Sequence, residues 1–182
     1  MMLEFDIHFH GPFRVATGRA DRGMDSVGDD EVPLPAASLK GLMLAEARRF
    51  FDDALVNAIF GSIGGAGAWA WTDAVFGTPP RRVPRSRIAI DPTTNTVTGG
   101  ALQSGEQLWA DRATFAVEPV APIGAESMAE HRAVLACAAG GVPALGAERR
   151  RGMGWVDIAT RVDHAALVEA GIILRGSKGR AA

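Results

Sequence analysis

Leu3, Phe5, Ile7 and Phe9 alternate strictly with Glu4, Asp6, His8 and His10. Successive side chains of a strand point to opposite faces, so this stretch is a half-buried strand with one apolar and one polar side. Gly11-Pro12 interrupts it, and Phe13-Arg14-Val15 continues it past a bulge. His8 and His10 share the polar side and invite a metal or catalytic reading. No Cys or further His stands at ligand spacing, so the preferred reading is a pair of solvent-facing strand histidines.

The rest of the chain can be laid out from this strand. Residues 17–35 read as a loop, with glycines at 18, 23 and 28 and acids at Asp21, Asp25, Asp29, Asp30 and Glu31. It is long for a structureless connection, and such loops are often functional. Leu39, Leu42, Met43, Ala47, Phe50, Phe51, Ala54, Leu55 and Ile59 then form one helical stripe, with Ser38 as the expected cap. Trp69 and Trp71 mark a second strand, and two tryptophans on one face point to core. Residues 77–87 read as a Pro/Arg connector. Residues 88–102 read as a projecting hairpin turning at Asp91-Pro92-Thr93-Thr94-Asn95. Ala113, Phe115 and Val117 give a third central strand. Ser127 and Glu130 suggest a capping box opening a second helix, whose apolar side holds Val134, Leu135, Cys137 and Ala138. Gly140, Gly141 and Pro143 stop it. Residues 155–160 form the last strand, and the polar tail from Arg175 is expected to fray.

The order is therefore strand, helix, strand, inserted hairpin, strand, helix, strand. This is the α+β, ferredoxin-like βαββαβ arrangement shared with RNA-recognition domains. It predicts a single domain over residues 1–174, with a thumb hairpin near 85–110 and both helices on one face of the sheet.

A length of 182 residues suits one core, and the balance of 47% hydrophobic and 22% charged residues is that of an ordinary globular protein. The lone Cys137 excludes an internal disulfide framework, and its apolar helical setting predicts a core position. No apolar run approaches the ~18 residues of a membrane span. The N-terminus lacks a signal-peptide layout. A cytoplasmic protein without a membrane partner is expected. The net charge of −2 does not announce a nucleic-acid partner. The arginines are unevenly placed, however, in one group at Arg81, Arg82, Arg85 and Arg87 and another at Arg149–Arg151. Local patches matter more than the total for binding a polyanion.

Two features leave a choice open. Residues 145–155, LGAERRRGMGW, bracket three arginines with Gly146, Gly152 and Gly154. They can be a solvated turn, or a loop whose backbone approaches a sugar-phosphate while arginines donate to its oxygens. Lys40 in the first turn of a helix opposes the helix dipole, and Gly41 beside it is a poor helix former. A bound phosphate reconciles both, and so does chance placement.

Four stretches in order resemble the RAMP superfamily of CRISPR effector proteins. They are LPAASLKG (34–41), IFGS (59–62), RIAIDPTTNTVTGGAL (87–102) and RRRGMGWV (149–156). The first two look most like the small backbone subunits of type III complexes. The resemblance implies a subunit that stacks with its own copies or related RAMP subunits along a CRISPR RNA, beside other effector-complex subunits. The guide then pairs with a complementary target RNA, so base pairing reads sequence and protein contacts go mostly to the RNA backbone. It makes Ser38, Lys40, Arg48, Arg149, Arg150, Arg151 and Gly152 the expected RNA-binding residues.

The resemblance also implies an activity. Target-cleaving members carry an aspartate in the loop before the Leu-Pro-x-x-Ser-Leu-Lys-Gly motif. Met24-Asp25-Ser26 stands in that place, making Asp25 the expected catalytic residue and metal ligand of an endoribonuclease using Mg²⁺ or another divalent cation. The loop lacks the usual Arg-Asp pair, and Trp155 stands where a small basic residue is common. These departures support an alternative, a non-cleaving structural subunit of the same kind of complex. A guide-processing endoribonuclease with a histidine base ranks last, because no histidine lies in the first helix or the glycine-rich loop.

Overall fold

The structure, a computed structural model, describes residues 2–21 and 23–160. The expected end of the domain at residue 174 and the tail 175–182 lie outside the described residues. The elements are β1 (Leu3–Phe9), α1 (Ala36–Phe50), α2 (Asp53–Phe60), β2 (Gly61–Ser62), β3 (Gly65–Ala66), β4 (Trp69–Trp71), β5 (Arg81–Arg87), β6 (Gln103–Trp109), β7 (Arg112–Pro119), α3 (Ala125–Gly140) and β8 (Val156–Thr160).

β1 lies inside a four-stranded sheet of order β4-β7-β1-β8. Its neighbours run antiparallel to it, with Phe5 opposite Phe115 on β7 and Ile7 opposite Ile158 on β8. The alternation sets this register, because a slip of one residue would turn every apolar side chain to the wrong face. Leu3, Phe5, Ile7 and Phe9 are buried, and the Phe5 and Phe115 rings stack at 4.9 Å. Leu39, Met43 and Ala47 of α1 and Val134, Leu135 and Ala138 of α3 join the same core. The expected α+β, ferredoxin-like arrangement is the one observed.

Local chemistry moved several boundaries. The stripe expected as one helix is two, because Phe51 is extended (φ −121°, ψ 160°) and Asp52 is the N-cap of α2. Aspartate is favoured at such a position. Ser38 does not cap α1. Pro35 is the N-cap, and Ser38 lies in the first turn with its N–H donated to the Pro35 carbonyl at 3.0 Å. Ser127 likewise sits inside α3, whose N-cap is Gly124. Cys137 is exposed, correcting its expected core position. The buried stripe of α3 runs through His131, Val134, Leu135 and Ala138, and position 137 falls off it.

The larger difference is the hairpin. The stretch read as a connector contains β5, which pairs with β6 from Arg81↔Trp109 to Arg87↔Gln103 in a separate two-stranded ribbon. Its sequence, RRVPRSR, shows no alternation because neither face of this strand is fully covered. At the far end only Ile90 and Val97 form a bridge. Ile88, Ile90, Val97 and Leu102 there are each more than half exposed. The base is pinned by Phe13. The chain leaves the central sheet at Gly11-Pro12, and Phe13 exchanges backbone hydrogen bonds with Leu108 at 2.9 and 2.8 Å.

Candidate functional site

The glycine-rich loop turns where three glycines adopt positive φ. Gly146, Gly152 and Gly154 lie at 78°, 78° and 76°, a region that side chains disfavour. Two of them serve the protein's own packing. A Cβ at Gly146 would collide with the Arg14 carbonyl, and one at Gly154 with the Leu145 carbonyl. Ala147 and Gly154 donate N–H groups to the carbonyls of Arg14 and Pro12, each at 2.7 Å. Gly152 alone faces open space. Arg149–Arg151 form a single 3-10 turn and all three are exposed.

Beside this turn the structure gathers arginines that the sequence keeps far apart. Glu148 accepts a hydrogen bond from the Arg14 guanidinium at 2.8 Å and forms an ion pair with Arg87 of β5. Burial lowers the Arg87 pKa, and the positive charges of Arg85, Arg151 and Arg14 lower it further. Burial also lowers that of Arg14. Arg14 and Arg87 thus share one carboxylate, and Arg85 and Arg151 act on Arg87. A neighbourhood of this kind favours further anionic charge. Arg14 and Glu148 had no part in the expected site. Only the packing of the loop on Pro12 and Arg14 brings them together.

The acidic loop is fastened to the ribbon. Ser26 bridges to Gly105, and Glu106 donates its N–H to the Ser26 carbonyl at 3.0 Å. Asp25 donates its N–H to the Ser104 carbonyl at 2.9 Å, and its carboxylate accepts the Ser104 N–H at 2.8 Å. Deeper in, the buried Glu106 carboxylate accepts from Arg82 at 2.5 Å and from the Gly28 N–H at 3.3 Å. One oxygen of the exposed Asp25 carboxylate thus helps to hold the loop. Among the described residues Asp25 belongs to no group of three side chains able to hold a metal.

Lys40 belongs to a different neighbourhood. Its ammonium stands 5.3 Å from the centre of the Trp71 ring, a cation–π contact. The Asp73 carboxylate accepts the Ala36 N–H at 2.7 Å, so an acid already serves the start of α1. Ser38 is half-buried in that first turn, and Arg48 is exposed in the last turn of α1. These three do not join the arginine group around Glu148.

One cluster among the described residues can hold a metal ion, and it is not at Asp25. His8, His10 and Asp157 bring one ligand atom each within 4.8 Å of one another on the face of β1 and β8 away from the helices. The sequence reading missed it because Asp157 becomes a neighbour only through the β1–β8 register, which sets it opposite His8. That face also displays Glu4 and Glu118, so its charge does not suit a polyanion.

Similarity to known proteins agrees with this architecture. The structure matches one titled "Type III-B Cmr-beta Cryo-EM structure of the Apo state" at a TM-score of 0.68 and 14% identity, covering 90% of this chain and 98% of that one. It matches another, titled as type III-B Cmr-beta bound to cognate target RNA, at 0.70 and 12%, covering 93% and 98%. No curated protein sequence matches the chain. The likeness to the Cmr-beta structures stands against the expected metal-dependent endoribonuclease, and the nuclease and hydrolase designations fall with it. The RAMP superfamily model matches residues 6–157, and the chain belongs to that superfamily.

Proposed function

We propose that this chain is a guide-RNA-binding backbone subunit of a type III CRISPR effector complex, without a cleavage activity of its own. The observation that carries the proposal is the pairing of Arg14 and Arg87 on Glu148 beside the exposed turn Arg149–Arg151, with Arg85 and Arg151 acting on Arg87. One carboxylate neutralises part of that charge, and the remainder is an electrostatic seat for a sugar-phosphate chain. Arg149, Arg150 and Arg151 supply exposed donors, and Gly152 leaves room for close backbone approach. Ser38, Lys40 and Arg48 form a second contact along α1. The partners are a CRISPR RNA, the target RNA paired with it, and neighbouring RAMP subunits. The exposed apolar end of the ribbon suits either base planes or an adjacent subunit.

The test is copurification of the chain with its neighbouring subunits, sequencing of any bound RNA, and incubation of the assembly with labelled complementary RNA. The expected result is a bound guide and tight target binding, with no cutting attributable to this chain when Asp25→Ala and unmodified assemblies are compared. Absence of guide RNA from a stable assembly would overturn the proposal.

A further inference from the structure

We propose that His8, His10 and Asp157 form a zinc-class metal site that ties β1 to β8, independent of the RNA-binding reading. His8 on β1 and His10, one residue past its end, are two residues apart, so both imidazoles leave the sheet on the same side. Their rings meet edge to face at 4.7 Å. Asp157, opposite His8 on β8, already reaches His10, with Nε2 to Oδ2 at 2.7 Å.

Three ligand atoms within 4.8 Å of one another match what one small ion requires. Zn²⁺ binds imidazole nitrogen and carboxylate oxygen at about 2.0–2.2 Å, which sets its ligand atoms only a few ångströms apart. Rotation about the side-chain torsions closes the remaining distance without moving the backbone, which the strand pairing holds. Two imidazoles and one carboxylate favour Zn²⁺ and its first-row neighbours. Mg²⁺ demands a shell of oxygen ligands and takes imidazole poorly. All three side chains are exposed, so a water completes the fourth position.

The surroundings favour a cation. Glu4 and Asp6 stand on the same side of β1, and Arg112, opposite His8 on β7, is the opposing charge. The ion's place in the fold gives it a consequence. His10 donates its N–H to the Trp155 carbonyl at 2.9 Å, where the glycine-rich loop enters β8. A metal bridging His10 and Asp157 therefore clamps both sides of that entry.

The experiment titrates the untagged full chain, stripped by chelator, with Zn²⁺ alone and follows competition against a chromophoric chelator. Co²⁺ replaces Zn²⁺ in a parallel titration to report coordination from its visible spectrum. One equivalent should bind, excess Mg²⁺ should not displace it, and Co²⁺ should give the intense bands of a four-coordinate site. His8→Ala, His10→Ala and Asp157→Asn should each weaken binding by more than about tenfold, the low end of what loss of an outer-shell partner costs. Thermal melting of these variants without metal should match the unmodified chain, since the residues are exposed, and Zn²⁺ should raise the melting temperature of the unmodified chain only. Failure of the unmodified chain to bind Zn²⁺, or undiminished binding by a His8→Ala/His10→Ala double variant, would overturn the proposal.

Discussion

Glu148 receives the guanidinium of Arg14 at 2.8 Å, from the far end of the sequence. The residue that makes this bond sits at a φ of 61°, an unusual conformation for a non-glycine residue. Its carboxylate is held between Arg14 and Arg87, both mostly buried. Removing it leaves two guanidinium groups facing each other without their shared counter-charge. Glu148→Ala should therefore destabilise the fold by about 2–3 kcal/mol, through lost charge-assisted hydrogen bonds and uncompensated charge. Glu148→Gln, which keeps an acceptor for Arg14, should recover part of the loss. Urea unfolding of the three chains checks the order.

Replacing Arg149, Arg150 and Arg151 together with alanine should weaken RNA retention alike for all sequences. The turn is exposed, so the fold should survive. For single strands each phosphate contact contributes about 0.7 to the slope of log K against log salt, so loss of three contacts should flatten it by about two. Binding measured across a salt series reads the slope directly. An unchanged slope would remove these arginines from the interface.

The end of the ribbon can be tested separately from its base. Changing Ile88, Ile90, Val97 and Leu102 to threonine should leave the melting temperature of the isolated chain within a few degrees, because all four are exposed. Assembly on RNA with neighbouring subunits should be lost. A large fall in stability of the isolated chain would show that the end packs against the domain.

The base behaves differently. Arg82→Ala strips the buried Glu106 of its ion-pair partner and removes a donor to the Asp29 carbonyl at 2.7 Å. The expected cost is about 3 kcal/mol, the scale for leaving a buried charge uncompensated. Limited proteolysis should then cut within residues 17–35 faster than in the unmodified chain. Asp25→Ala removes only an exposed latch on Ser104 and should cost about 1 kcal/mol.

His131 predicts an acid limb in stability. The Trp69 indole donates to its Nδ1 at 3.0 Å, which requires a neutral ring, and burial lowers its pKa while Glu130 opposes the shift. The unfolded chain takes up the proton at about 6.5, the ordinary imidazole value, and the folded chain only below that. Stability is therefore complete above this value and declines as pH falls toward the folded-state value. The slope in that window is at most about 1.4 kcal/mol per pH unit. Melting temperature followed from neutral to mildly acid pH should show the decline, and His131→Gln should flatten it.

Much of this fold was legible because some signals are local. The alternation in β1, the paired tryptophans of β4 and the Ala113, Phe115, Val117 triplet of β7 each carry their burial in their own spacing. Cap assignment failed where a serine resembled a cap but the chain entered its helix earlier, at Pro35 and Gly124. The ribbon hid in part because β5 is read through its partner β6 and not through its own composition. The candidate site was legible only in fragments. Arg87 and Arg149–Arg151 stood out as arginine-rich stretches, but Arg14 and Glu148 become partners only once the loop folds back on Pro12. Asp157 joins His8 and His10 by strand register, which no spacing along the chain reveals.

The fastening of the ribbon gives the molecule a mechanical property. Phe13 grips it at Leu108, Glu106 and Ser104 bind the acidic loop on one flank, and Arg87 reaches Glu148 on the other. The two-stranded arm is held to the domain at three points near its base. Its strand β5 ends at Arg87, whose guanidinium pairs with Glu148 where the arginine turn begins. Two places that share no side-chain contact are thus joined through one ribbon.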